Sequence, residues 1–291
     1  MKSRENKLKN KKKINFFIKF LIFIIVLVII CYVYARYINN NMFEIKEYSI
    51  STNKINEDFD GIKLVQFADT HYGFTVFKDE LDKMVKKINY VNPDIVVFNG
   101  DLIDKSYVKS MDEEDKKIIA DAFNNINSKY GKYAIAGNHD YDETVFFEII
   151  KMTDFILLDD SNDIIYGEDN SKIFISGVSS TIKHFINYET LFDGYNNEFY
   201  NILLLHEPDS VDEILKENNF DLALAGHTHG GQMRLPFVKT LFTSTGGLKY
   251  NEEYHQINDT KLYISFGIGN TNLPFRTFNS PSINFFRINK E

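Results

Sequence analysis

The sequence predicts an α/β layered domain carried behind one membrane-spanning helix. Three observations lead there. A strand–loop–helix rhythm begins at Ile62 and runs to the end of the chain. A run of 20 almost wholly apolar residues, Phe16–Ala35, precedes it. Asp, Asn and His residues stand at the carboxyl ends of five of the expected strands, where ligand sites of such folds gather.

The apolar run comes first. At about 1.5 Å per helical residue it spans roughly 30 Å, the thickness of the hydrocarbon core. Lys19 lies one turn inside and can snorkel to the headgroups. Seven basic residues stand in 1–13, whereas only Arg36 follows closely. The positive-inside rule therefore places a basic segment, 1–13, in the cytoplasm. It makes 14–37 a single-pass anchor in the cell membrane and puts 41–291 outside. A cleavage site would need small residues near Cys31–Tyr37, and a lipidated Cys31 would want one at Ile30. Cys31 is the only cysteine, so the domain has no disulfide and no thiolate ligand.

No Pro-, Gly- or Ser-rich linker divides 41–291. Phe43–Ile50 reads as an edge strand. Buried strands are expected at Ile62–Ala68, Ile95–Phe98, Tyr133–Ala136, Lys172–Val178, Asn201–Leu205, Leu222–Ala225, Leu262–Phe266 and Ile283–Ile288. Helices are expected at Phe77–Val91, with Leu81, Met84, Val85 and Ile88 on one face, and at Met111–Tyr130, Thr144–Met152 and Asp209–Asn218. Asp209 is the expected N-cap of the last.

Charge narrows the function. Residues 1–37 hold nine of the 33 basic and one of the 41 acidic residues. The rest keeps 24 basic and 40 acidic, a net charge of −16 with histidines neutral. Such a domain repels nucleic-acid backbones and suits divalent cations.

The polar residues supply the chemistry. The first strand is followed by Asp69-Thr-His71, the next by Asn99-Gly-Asp101, the third by Gly137-Asn138-His139-Asp140. His206 and Gly226-His227-Thr-His229 follow two later strands. Five of the seven histidines stand at these positions. Imidazole nitrogen with carboxylate and amide oxygen is a donor set for hydrolytic metals, and the lack of sulfur excludes a zinc finger. A bridging carboxylate can hold two cations roughly 3.5–4 Å apart, with a water between them deprotonated as the nucleophile.

This ordered set resembles the calcineurin-like metallophosphoesterase superfamily. Gly226–Pro236 and Leu262–Arg276 resemble its membrane- or wall-associated branch, which includes UDP-2,3-diacylglucosamine hydrolase-like enzymes. Relatives more often carry Ser-Arg-Gly where this chain has Ser265-Phe266-Gly267. The resemblance implies a four-layer α/β/β/α sandwich and two divalent cations (Mn, Fe or Zn). It gives Asp69, His71 and His229 to one cation, and Asn138, His206 and His227 to the other. Asp101 would bridge them, and His139 would touch the phosphoryl group and protonate the leaving oxygen. Asp104 and Asp140 read as caps or supporting partners, and His184 and His255 as surface residues. Arg276 either holds a substrate phosphate or forms a structural ion pair. Tyr72, Phe74 and Phe77 either line an acyl-binding cleft near the membrane or, the preferred reading, pack in the core or rim. The expected activity is hydrolysis of a phosphate ester or pyrophosphate on a small or lipid-linked substrate held near the membrane. A catalytically silent binding module would lack ligands, and none of the expected ones is missing. A nuclease conflicts with the acidic charge.

Overall fold

The structure is a computed structural model. It describes the chain apart from Met1, 169–170, 236–239 and 241–242, and apart from the side chains of 2–3 and 5–9. Pro236, the end of the Gly226–Pro236 stretch, lies outside the described residues.

Helix α1, Lys2–Val33, carries the apolar run and continues through a π turn, Tyr34–Ile38, and a 3-10 turn, Asn39–Asn41. Among the described residues, 10–41 is the one helical stretch long and apolar enough to cross a membrane, its most apolar 18-residue window having mean hydropathy 3.1.

The rest folds as two six-stranded sheets. One contains β1 (Glu44–Thr52), β2 (Ile62–Phe67), β3 (Ile95–Phe98), β4 (Gly131–Ala134) and β5 (Ile156–Leu157). It is completed by the last strand, β12 (Ser282–Lys290), and its order is β1-β12-β2-β3-β4-β5. The other contains β6 (Ser161–Tyr166), β7 (Lys172–Val178), β8 (Tyr200–Leu205), β9 (Leu222–Ala225), β10 (Tyr254–Ile257) and β11 (Thr260–Ile264), ordered β10-β11-β9-β8-β7-β6. The central neighbours β2-β3-β4 and β7-β8-β9-β11 run parallel, which aligns their carboxyl ends.

Side-chain alternation along a strand explains the apolar runs. Leu64 and Val97 meet Ile202 and Leu224 between the sheets. One residue on, Val65 and Phe98 face outward to Leu81, Ile119 and Phe146. These outer residues belong to α2 (Lys78–Tyr90), α3 (Glu113–Asn124) and α4 (Thr144–Lys151). Leu203 and Leu205 face outward to Leu191, Val211 and Ile214 of α5 (Tyr188–Leu191) and α6 (Val211–Ile214). The result is helices, sheet, sheet and helices, the four layers that the resemblance implies.

Two helices differ from expectation. Met111–Tyr130 shortens to α3: Asp112 caps its start by accepting from the Asp115 N–H at 2.9 Å. Lys132 terminates it, donating to the carbonyls of Phe123 at 3.1 Å and Ile126 at 2.8 Å. Asp209–Asn218 becomes a 3-10 turn, Pro208–Ser210, followed by the one-turn α6. Asp209 does not cap it. Its carboxylate accepts instead from the backbone N–H groups of Leu248, Lys249 and Tyr250, at 2.8–3.1 Å for the shortest bond to each. Three distant donors outcompete one local cap.

Candidate metal centre

The loops that leave β2, β3, β4, β8 and β9 converge at one end of the sandwich. Their backbones are unusual. Asp69, His71, Asp101, His227 and His229 all have φ between 43° and 69°, the left-handed region that side chains disfavour. Such conformations persist where the surroundings over-determine them, and they cluster at functional sites.

Several groups enforce that geometry. The buried Asp140 carboxylate accepts from the backbone N–H groups of Asp101 at 2.6 Å, Leu102 at 2.9 Å and Gly137 at 3.0 Å. It thereby clamps the β3 and β4 loops together, as a supporting partner. Gly137 is required: a Cβ there would stand 2.2 Å from Asp101 Oδ1 and 2.7 Å from His206 Cε1.

Seven side chains then face one another. His71 Nε2 lies 3.1 Å from His229 Nε2 and 3.6 Å from Asp101 Oδ2. His229 Nε2 lies 3.8 Å from Asp69 Oδ1. On the other side of Asp101, His206 Nε2 is 3.3 Å from Asp101 Oδ2 and 3.2 Å from Asn138 Oδ1. His227 joins Asp101 and His206 in a second tight group. All seven predicted ligand residues are therefore brought together, with Asp101 between the two halves.

Two histidines have their orientation fixed from behind. His206 donates Nδ1–H to the Asn99 carbonyl at 2.7 Å, and His227 donates Nε2–H to the Thr245 carbonyl at 2.8 Å. The remaining nitrogen of each is thus left for the interior. Sequence reasoning missed Asn99 in this role. Its Nδ2 also donates to the Leu224 carbonyl at 2.7 Å, spanning the two sheets.

The electrostatics report crowding. Burial, with the neighbouring Asp101 charge, pushes Asp69 up to about 8. Burial brings His71 down to about 4. Burial also acts to raise Asp101, but the nearby His206, His139 and His71 outweigh it and hold the carboxyl well below its usual range. Burial alone would lower His206, yet Asp101 drives it well above an ordinary histidine. Two carboxylates, four imidazoles and an amide oxygen offer many lone pairs and few protons. A proton can serve one or two of them, whereas a divalent cation can serve three or four at once. The residues present therefore fit cations.

His139 stands beside this set. Its ring meets His71 edge-on at 4.7 Å, and its backbone N–H donates to Asp101 Oδ1 at 2.8 Å. Its Nδ1 is buried and has no hydrogen-bond partner among the described residues. A cavity of about 190 Å³ opens over His71, Asp101, Asn138, His139, His227 and His229, rimmed by Ser244, Thr271 and Asn272.

Arg276 departs from both of its expected roles. It is fully buried, and its guanidinium donates to the carbonyls of Phe266 at 2.9 Å and Gly269 at 2.5 Å, with Nη2 3.3 Å from His229 Nδ1. It braces the loop behind His229 and has no carboxylate partner among the described residues. Phe266 packs against Gly230: a Cβ on that glycine would meet its ring at 2.5 Å. The Phe266 ring also carries the Lys46 ammonium 3.6 Å from its centre. Tyr72 is buried and donates to Asp115 at 2.8 Å, an ordinary packing position.

His184, expected at the surface, is half-buried. It pairs with Asp160 at 3.0 Å and stacks on Tyr141 at 4.7 Å. Glu207, directly after His206, is fully buried and accepts from the Ser180 hydroxyl at 2.5 Å and the Thr181 N–H at 2.8 Å. A lone acid beside a candidate ligand was the only signal for it.

Residues 62–231 match the calcineurin-like phosphoesterase family. The chain is 32% identical over 262 residues to the metallophosphoesterase YkuE of Bacillus subtilis (strain 168), covering 88% of this chain and 89% of that protein. It is 27% identical over 246 residues to a zebrafish (Danio rerio) transmembrane protein with metallophosphoesterase domain, covering 80% of this chain and 54% of that protein. A Helicobacter pylori (strain ATCC 700392 / 26695) metallophosphoesterase is 29% identical over 258 residues, 84% of this chain and 64% of that protein. The chain spans little more than half of the zebrafish protein and nine-tenths of the Bacillus one. On the match across more than half of its length, and on its likeness to YkuE, the chain belongs to the calcineurin-like phosphoesterase family.

Proposed function

We propose that the chain is a membrane-anchored hydrolase of phosphate esters or pyrophosphates, acting outside the cytoplasmic membrane on a small or lipid-linked substrate. The observation that carries this is the inward convergence of lone pairs around Asp101, which only cations can satisfy together. A bound pair of divalent ions (Mn, Fe or Zn) supplies Lewis-acid charge for the phosphoryl oxygens and acidifies water near neutral pH. Asp69, His71 and His229 would hold one ion. Asn138, His206 and His227 would hold the other, with Asp101 shared between the two sets.

The chain's own residues do the rest. The carbonyls of Asn99 and Thr245 fix the ring orientation of His206 and His227. His139, which lines the cavity over the cage, binds the phosphoryl group and delivers a proton to the leaving oxygen. The domain, 41–291, follows the anchor with almost no spacer, which favours substrates at the membrane.

The test is His139→Ala in the full chain, assayed on an aryl phosphodiester. Turnover should fall by roughly 10²–10⁴-fold, the usual contribution of a positioned acid. Metal content should stay at the wild-type level. Loss of an ion would make His139 a ligand, and full turnover would remove it from the reaction.

A further inference from the structure

The anchor does not end in a flexible tether. Its last turns are bonded to the loop 270–280. The Ala35 carbonyl accepts from the Arg276 N–H at 3.0 Å. Asn39 donates to the Asn279 carbonyl at 3.2 Å and Asn40 to the Pro274 carbonyl at 3.1 Å. The Phe275 ring packs on Tyr32 at 5.6 Å, and Phe278 lies 6.2 Å from Tyr34.

Those contacts fix a depth. Tyr32 lies three residues inside Ala35, the outer end of the apolar run, or about 4.5 Å along the helix. A ring packed on Tyr32 therefore lies level with the edge of the hydrocarbon. The loop is built for that level. Arg276 is its only charged residue and is buried, while Leu273 and Phe278 are 47% and 59% exposed. Leu235, 47% exposed, stands beside them, because the Arg234 N–H is bonded to the Thr277 carbonyl at 2.9 Å. Tyr37, Ile38 and Met42, at the end of the anchor, are exposed as well. Apolar and aromatic residues without charge suit the lipid–water boundary.

We propose that the loop 271–278 and Leu235 lie in the interface of the bilayer that the anchor crosses, so that the catalytic domain rests on lipid. Its continuity with the anchor selects lipid over a protein partner. The metal cage is one residue away: the backbone of Arg276 is bonded to the anchor, and its guanidinium lies behind His229. A cavity of about 340 Å³ runs from His229 past Thr271 and Asn272 to Leu273, so its rim belongs to this surface. A phosphate at headgroup depth thus reaches the cage without leaving the membrane. This last step rests on the phosphoesterase reading, whereas the docking does not.

The chain contains no tryptophan, which makes a clean probe possible. Leu273→Trp, Phe278→Trp and Tyr166→Trp are each made in the full chain and reconstituted in phosphatidylcholine vesicles. Tyr166 is 61% exposed and pairs with Lys172 at the amino end of β7, away from the cage. Lipids brominated near the headgroup end of their chains should quench the first two at least about twofold and leave the third unchanged, as expected for rings in the interface. Equal emission at all three positions overturns the docking and leaves the loop to a protein partner. Leu235→Trp serves if either loop variant fails to fold. Hydrolysis of a soluble aryl phosphodiester, measured on the wild-type chain, separates the two ideas: quenching without hydrolysis keeps the docking and removes the phosphoesterase reading.

Discussion

Two clusters among the described residues place histidine against carboxylate, and they are opposites. Around Asp101 the groups point lone pairs at one another. Around Asp160 they point protons at lone pairs. His184 donates Nδ1–H to the Ser180 carbonyl at 2.8 Å and Nε2–H to the Asp160 carboxylate at 3.0 Å, and the Asn187 N–H donates to the same carboxylate at 2.8 Å. Both clusters have the residue types and spacing of a metal site. Only the first leaves its donor atoms without enough protons. Ligand chemistry therefore follows from unmet lone pairs, and proximity alone is insufficient.

The largest expected effect breaks the first cluster at its centre. Asp101→Asn removes the negative charge shared by the two halves. Metal analysis of the purified chain should show both ions lost or greatly reduced, with phosphodiester turnover down by at least about 10³-fold, on the scale of several kcal/mol of transition-state stabilisation. Asp160→Asn, made in parallel, should leave metal content unchanged. If Asp160→Asn lost metal as readily as Asp101→Asn, the contrast between the clusters would collapse.

A smaller effect comes from the backbone that holds the lone pairs together. Gly137→Ala places a methyl group 2.2 Å from Asp101 Oδ1 and 2.5 Å from the Asp101 backbone nitrogen. Neither the β3 loop nor the Asp140 clamp leaves it room. The chain should lose about 1–3 kcal/mol of stability, the usual range for overpacking, and bind metal more weakly because Asp101 and His206 are forced apart. Thermal denaturation and a metal titration read the two effects separately. Wild-type metal affinity in a destabilised Gly137→Ala would mean that the cage reforms around the added methyl.

The contrast also explains what could be read in the sequence. The cage was legible because each of its residues follows directly on a strand, and parallel strands bring their carboxyl ends together. The outward and inward faces were legible as unbroken apolar runs. The short strands β5 and β10 and the polar strand β6 were not, since two to six residues with little alternation carry no period. Asp209 was misread because its partners are 39 to 41 residues away. Arg276 was misread because its partners are backbone carbonyls, which no side-chain motif announces. His184 looked like a surface residue because its carboxylate lies 24 positions earlier.

The smallest effect distinguishes the second cluster by its proton. Burial acts to lower the pKa of His184, but the bonds to Asp160 and Ser180 outweigh it and raise the value above that of an ordinary histidine. A raised value means that the folded state holds the proton more tightly than the unfolded chain does. The stabilisation is complete below about pH 6.5, the unfolded value, and fades as pH rises through the folded one. The ring is partly exposed, so the screened pair contributes on the order of 0.5–1 kcal/mol. His184→Gln should therefore lower Tm more near pH 6 than near pH 9, with metal content equal to wild type at both. A gap independent of pH would mean that the ring acts only by stacking on Tyr141, with planes 12° apart. The same titration across Asp101 has no such simple sign, because the proposed cations would replace the proton there.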